Sequence, residues 1–451
     1  MEKIDTLRRF GLFDARVPRY TSYPPANHFA NGIGHQFHAD WLQTVTDGSV
    51  ISVYIHIPFC KRLCWFCACR TQGTRTMRPV DAYVQYLLKE LSLVRDLLPK
   101  DVKMGRLHLG GGTPSILPPD TMANLLDAVY AAFPKADDYE FSVEIDPTEA
   151  APDLLRTLAN YGMNRASVGV QDFAEKVQSA IGRLQSFEQT RDVIALLRDL
   201  GVQSLNVDLL YGLPFQTKSS FQATLDQVAE LKPDRLAIYG YAHVPWMSKR
   251  QVMIDGEALP GPEKRFWLAE QAHAHFTALG YAPIGIDHFA LPTDSLYKAD
   301  QAGTLRRNFQ GYTDDQSEAL IGLGASAISR FPQGFVHNAP ATSAYQERIA
   351  SGGLAGQKGY RMDHADDLTS QIVEDLMCRF CFDATSLGAD FPDMAEIIED
   401  TRLSLLDAFP GIFLTSADGL IILDNAKPLV RIIASFVDSF TSSQTAHSAA
   451  I

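Results

Sequence analysis

The chain has 451 residues, 46% of them hydrophobic, and a formal net charge of -13. That length and apolar content exclude a disordered or fibrous chain and leave room for one large core plus a smaller domain. The acidic balance opposes sequence-independent binding to a nucleic-acid backbone, because the basic residues are scattered singly or in short pairs. The N-terminus MEKIDTLRRFGLFDARVPRY has no apolar run of the signal-peptide kind, and no segment approaches the ~20 apolar residues that span a bilayer. Cytoplasm is the expected location, and no membrane span or nucleic-acid partner is expected.

Residues 1–49 read as an extension containing PRYTSYP, whose prolines disfavour regular structure and whose tyrosines are costly to leave exposed. It is expected to pack over the mouth of the domain that follows. From residue 50 to about 245 the apolar runs SVYIHI, RLHLGG, FSVEID, ASVGVQ, LNVDLLYG and LAIYGYAH alternate with helical patterns such as VDAYVQYLLKELSLVRDLL and FEQTRDVIALLRDLG. Repeated strand-then-helix units imply a parallel sheet with right-handed crossovers, curled toward a barrel or part of one. Residues 246–340 continue with a helix (EKRFWLAEQAHAHFTALG), a strand (APIGIDHF) and a Gly-rich turn (IGLGASAIS). From about 365 come the helices DDLTSQIVEDLMCRF and DMAEIIEDTRLSLLDAF, a short strand pair (IFLT, LIIL) and a last helix, LVRIIASFVDSF. The expected fold is α/β: a partial or curled (β/α) barrel over 50–340, with a mostly helical C-terminal domain over 341–451 that carries a small β hairpin. Helices plus a hairpin also suit a winged-helix-like module, but the acidic chain favours a substrate lid or packing domain.

Polar residues fall where the apolar runs end: Cys60, the glycines Gly110 to Gly112, Glu144, Gln171, Asp208, then Tyr239 to His243. In a (β/α) barrel those ends form the reactive face. The stretch CKRLCWFCACR holds four of the six cysteines, Cys60, Cys64, Cys67 and Cys69. A structural zinc site usually pairs two separated Cys-x-x-Cys turns, which this single crowded turn does not offer. The Cys60-Cys64-Cys67 spacing can engage three irons of a 4Fe-4S cubane and leave the fourth open for a ligand.

The three-cysteine motif after a first strand, followed by GGGTP after the second, resembles the radical S-adenosylmethionine (SAM) superfamily. There the open iron chelates SAM, and one electron from the cluster releases a 5′-deoxyadenosyl radical. PRYTSYP, YIHIPFC, the extra cysteine, GGGTPS, EIDP, GVQDF, NVDLLYGLP, YGYAHVP and RRNFQGYT narrow the resemblance to the oxygen-independent coproporphyrinogen III oxidases, over almost the whole chain. Those enzymes decarboxylate two propionates of coproporphyrinogen III to vinyl groups, giving protoporphyrinogen IX in haem synthesis. The resemblance implies a radical SAM barrel, one 4Fe-4S cluster, two SAM molecules and coproporphyrinogen III as substrate; an unidentified reductant and a monomeric chain are expected beside them.

Residue by residue, the resemblance makes Cys60, Cys64 and Cys67 the cluster ligands and leaves Cys69 out. Tyr54, Gly111, Glu144 and Ile328 match positions that line the cluster-bound SAM. Phe66, Gly112, Thr113, Gln171, Arg183, Asp208 and Ala242 match positions around the second. His56 reads either as a proton donor or as a satisfied core histidine, and Gln310 in NFQGYT matches a motif near the active site. Arg19, Arg306 and Arg307 are candidates for the substrate carboxylates by charge, against the plainer reading of surface ion pairs. Cys69, His56 and Gln310 are therefore the candidate catalytic residues. Ala68 stands where the family has glycine, Ala426-Lys427 replace a Gly-Arg pair, and Cys378 and Cys381 read as buried thiols in a helical segment. The competing readings are a related haem-binding chaperone, a radical enzyme for another tetrapyrrole, and an iron-sulfur electron carrier.

Overall fold

The computed structural model describes residues 2–416, 419–440 and 449–451. The six apolar runs become parallel strands paired in chain order: β1 (Val50–Ile57), β2 (Lys103–Gly111), β3 (Lys135–Ile145), β4 (Arg165–Gln171), β5 (Ser204–Tyr211) and β6 (Arg235–Gly240). A seventh, β7 (Ala319–Leu323), pairs in parallel with the free edge of β1. Antiparallel strands extend both edges to thirteen strands in a linear order, so the sheet is open and the barrel partial.

Alternation along each strand explains what the two faces do. Ile51, Val53, Ile55 and Ile57 of β1 are at most 1% exposed and pack in one apolar cluster with the crossover helices. Each such side chain contributes about 1.5–3 kcal/mol. The intervening Ser52, Tyr54 and His56 face inward: Tyr54 bonds His56 and stacks on His108 of β2, which in turn meets Ser142 and Glu144 of β3, while Ser167 of β4 meets Asn206 and Asp208 of β5. A polar inner face is unusual for parallel strands, which are commonly apolar on both sides. Proline in the first turn starts the helices Arg78–Leu97, Pro119–Ala132, Pro152–Asn160 and Pro262–Ala278. Ser186 and Thr217 cap the helices Phe187–Asp199 and Lys218–Glu230.

Several expected elements differ. The extension carries two helices, Glu2–Arg9 and Ile33–Gln43, flanking the irregular proline segment, because the prolines act only where they stand. APIGIDHF is not one strand but an antiparallel hairpin, Ala282–Ile284 with His288–Ala290. Gly285 turns it with φ +56°, in a place where a Cβ would collide with the Tyr312 ring. IGLGASAIS is only partly a turn, since its first half completes β7 and its end opens the strand Ile328–Phe331. The C-terminal hairpin gains a third strand, Cys381–Asp383, so Cys381 leaves the helix that ends at Arg379, while Cys378 is buried within it.

The extension and the C-terminal elements share one apolar cluster, in which Leu7, Leu12, Val17, Tyr20 and Tyr23 pack with Leu376, Leu429 and Ile433. The buried Arg431 fastens the proline segment, donating to the carbonyls of Val17 (2.6 Å) and Pro18 (3.0 Å), and Tyr20 donates to Asp438 (2.8 Å). Arg19 donates to the carbonyl of Gly240 at the end of β6 (2.6 Å). Among the described residues no helix is long and apolar enough to cross a membrane.

Candidate active site at the strand ends

The cysteine loop leaves β1 through Pro58 and closes on itself, since Phe59–Cys60 pairs in parallel with Gln72–Gly73. Gln72 N–H donates to Pro58 (2.7 Å) and Thr74 N–H to Cys60 (3.0 Å). Two distant segments hold the loop from outside. Trp65 N–H donates to the Ile181 carbonyl (2.9 Å), and the Trp65 ring lies over Gly182. Gln251 donates to the Phe66 carbonyl (2.8 Å), Ser248 to that of Cys67 (3.0 Å) and Arg250 to that of Cys69 (3.0 Å).

The sulfurs are not equivalent. Cys60 Sγ accepts from Thr113 Oγ1 at 3.4 Å and Cys64 Sγ from Arg183 Nη1 at 3.5 Å. Burial pushes the Cys60 thiol up to about 11, against the pull of the Thr113 hydroxyl. A hydrogen bond between the two thiols lowers the Cys67 pKa and raises that of Cys69. Cys69 is exposed whereas Cys64 is buried. Among the described residues no three His, Cys, Asp or Glu side chains converge on a point that would hold a single metal ion. Three thiols spread along a loop with donors on two of them suit a polynuclear cluster, whose ligands sit on separate irons.

The glycine run lies directly against this loop. A Cβ on Gly112 would come within 2.7 Å of the Phe59 carbonyl, and one on Gly111, at φ +115°, within 2.7 Å of the His56 ring. Glu144 accepts from Gly111 N–H (3.1 Å) and from His108 (3.5 Å). Burial alone would raise its carboxyl, but those hydrogen bonds and the His108 charge outweigh it and keep the group below the ordinary carboxylate value. Tyr54 stacks on His108 at 5.8 Å and donates to His56 Nδ1 at 2.9 Å. His56 Nε2 faces the Arg70 carbonyl (3.2 Å), which can only accept, so Nε2 carries the hydrogen and Nδ1 is the acceptor. Burial lowers the His56 pKa. Both ring nitrogens of His56 are thus engaged, one of them by the Tyr54 hydroxyl.

Further along the sheet, Asp208 accepts from Ser167 (2.9 Å) and Asn206 (2.7 Å), and burial raises its pKa. Gln171 takes a left-handed conformation, φ +72°, at the end of β4. Arg183 donates to Asp146 (3.0 Å) and to the Gly169 carbonyl (2.8 Å), while its Nε is buried with no partner. Phe66 packs on the apolar cluster of Val177, Ile181 and Tyr241, and the Ala242 carbonyl accepts from Gln251 (3.1 Å). Ile328 follows the turn whose Ser326 hydroxyl lies 3.3 Å from His56 Nε2. Gln310 is exposed at the tip of the hairpin Arg306–Asn308 with Gly311–Thr313. Of the arginines, Arg306 pairs with Glu374 (2.8 Å), and Arg307 donates to the carbonyl of Tyr20 (3.1 Å).

Sequence reasoning missed His108, Asp146 and Gln251. His108 had a signal, an inward position two residues before the glycines, and Asp146 sits in the EIDP motif. Gln251 had none, since its partner Phe66 is 185 residues away in the chain.

Residues 54–228 match the radical SAM superfamily. Over its full 451 residues the chain is 49% identical to the oxygen-independent coproporphyrinogen III oxidase of Paracoccus denitrificans, covering 100% of both chains. It is 50% identical over the same span to the enzyme of that name from Cereibacter sphaeroides, again covering 100% of both. Among solved structures, coproporphyrinogen III oxidase (HemN) from Escherichia coli, a radical SAM enzyme, superposes with a TM-score of 0.89 at 33% identity, covering 94% of this chain and 100% of that one.

Proposed function

The chain belongs to the oxygen-independent coproporphyrinogen III oxidases of the radical SAM superfamily, and from that premise we propose how its own residues divide the work. The activity is that of the family, the oxygen-independent oxidation of coproporphyrinogen III in haem biosynthesis, and the family binds a 4Fe-4S cluster and SAM. When bound, that pair would supply the 5′-deoxyadenosyl radical that takes a propionate hydrogen atom, after which the substrate radical gives up one electron to a separate one-electron acceptor as carbon dioxide leaves.

Cys60, Cys64 and Cys67 are the proposed ligands and Cys69 the non-ligand thiol near substrate. The observation that carries this is the pair of donors on the sulfurs, Thr113 on Cys60 and Arg183 on Cys64, at a loop pinned against the glycine run. Glu144, held ionised, and Tyr54, oriented by His56, are placed with Gly111 and Ile328 to receive the ammonium and ribose hydroxyls of one SAM. Gly112, Thr113, Gln171, Arg183, Asp208, Phe66 and Ala242 form a second group, running from the cysteine loop along the strand ends, which we assign to a second SAM molecule. The orphaned Arg183 Nε is a donor that such a ligand would satisfy. Arg19 and the proline segment, tied to Gly240 and Arg431, cover the strand ends and exclude water. Gln310 stands at the rim, a working monomer and a cytoplasmic location complete the reading, and the reductant is a separate molecule.

The test is turnover. Anaerobically reconstituted protein with reductant, SAM and coproporphyrinogen III is expected to form protoporphyrinogen IX and release two methionines for each. One methionine per product would remove the second SAM. Stable haem binding with no decarboxylation would favour a chaperone role instead.

A further inference from the structure

The proline segment, the hairpin Arg306–Asn308 with Gly311–Thr313, the helix His364–Arg379 and the strand Ile328–Phe331 enclose a cavity of about 120 Å³. That is far below the roughly 300–1,000 Å³ of a site that takes a whole ligand. It has room for a side arm and not for a macrocycle. Its walls combine aromatic and aliphatic side chains, Tyr23, Phe309 and Val373 among them, with the guanidinium groups of Arg306, Arg307 and Arg330.

The arginines differ in what they already hold. Arg306 Nη1 is tied to Glu374 Oε2 at 2.8 Å. Arg307 donates to the carbonyls of Tyr20 (3.1 Å) and Arg19 (3.4 Å) and has Asp287 3.7 Å away, though its buried Nη1 has no partner. Arg330 donates to the Ser317 carbonyl (3.0 Å) and, among the described residues, forms no ion pair. The other carboxylate on the wall, Asp315, is engaged by the Ser52 hydroxyl and by Ser317 N–H (2.9 Å). So a chain of net charge -13 keeps here a guanidinium that Glu374 and Asp315 approach without an ion-pair contact, beside an apolar slot. An apolar slot ending in a cation is the complement of a short methylene arm ending in a carboxylate.

We propose that Arg330 holds one propionate carboxylate of the substrate in this cavity, with the arm against Tyr23, Phe309 and Val373. The proposal rests on the coproporphyrinogen reading and adds a residue to it. The cavity is joined to the proposed SAM site through its own wall. Ile328 lies on the same strand face as Arg330, and Ser326, two residues earlier, contacts His56. Anchoring one arm there fixes which edge of the macrocycle faces the cysteine loop.

Arg330→Gln and Arg330→Lys, compared in the reconstituted full-length enzyme, test this. The readouts are KM for coproporphyrinogen III and the dissociation constant of coproporphyrin III, followed by its fluorescence. Arg330→Gln is expected to weaken both by about tenfold, or about 1.4 kcal/mol. Arg330→Lys, which keeps the charge, is expected to recover most of that loss. Unchanged affinity in Arg330→Gln overturns the proposal. Equal weakening in both variants also overturns it, by making Arg330 a structural support of its strand. If the wild-type enzyme itself fails to decarboxylate coproporphyrinogen III, the functional reading has failed, whatever the variants bind.

Discussion

Arg183 Nη1 lies 3.5 Å from the Cys64 sulfur while the same guanidinium bonds Asp146 at 3.0 Å, so one buried cation joins a proposed cluster ligand to the end of β3. A charged donor on a cysteinyl sulfur stabilises the reduced, more negative cluster and raises its potential. Arg183→Gln is expected to reconstitute with iron but to shift the midpoint potential down by the order of 60 mV, one decade for a one-electron couple. Redox titration followed by electron paramagnetic resonance measures it, and an unchanged potential would separate Arg183 from the cluster.

Cys69 offers a cleaner division of roles. It is exposed, its carbonyl is held by Arg250, and its thiol hydrogen-bonds that of Cys67. Cys69→Ser is expected to keep about four irons per chain while turnover falls about 100-fold, the scale of a lost acid-base or positioning group. Cys64→Ser is expected to lose the cluster. Iron loss in Cys69→Ser would return it to the ligands.

What could be read in advance follows from range. The six parallel strands were legible because alternation is local, and the same alternation puts Tyr54, Glu144 and Asp208 on the inner face once the strands pair. Gln251 and Arg330 were not legible. The first acts through a partner 185 residues away, and the second sits in a strand whose preceding glycines read as a turn. The helices of the extension were hidden by prolines whose effect ends within a few residues. Arg306 shows the opposite case, a plausible anion ligand by charge that the fold commits to Glu374.

Gly182 is another residue whose importance is purely spatial. Its φ is +66° and a Cβ there would approach the Trp65 indole to 2.9 Å, between the proposed ligands Cys64 and Cys67 in sequence. Gly182→Ala combines left-handed strain of about 1–2 kcal/mol with displacement of that ring. Reduced iron content after reconstitution, with otherwise native circular dichroism, is the expected result. Full iron content would mean that Trp65 can shift without disturbing the sulfurs.

Glu90 supplies a prediction for stability against pH. It is fully buried and accepts from Gly324 N–H (2.7 Å), Asn338 (2.9 Å) and Tyr345 (2.8 Å), next to the turn that carries Ser326. Burial pushes its carboxyl up to about 7 from 4.5, against the pull of those hydrogen bonds. The folded chain therefore keeps this proton over a range where the unfolded chain has lost it. The resulting stabilisation is complete below about pH 4.5 and is lost as pH rises to about 7, a change of the order of 3 kcal/mol. Glu90→Gln cannot titrate there. In urea unfolding, wild type is expected to lose stability relative to the variant between pH 5 and pH 8, even though the amide makes a poorer partner for Asn338 and lowers stability at the acid end. A wild-type-minus-variant difference that stays constant across that range would mean that Glu90 is ionised in the folded protein throughout, its charge carried by the three donors.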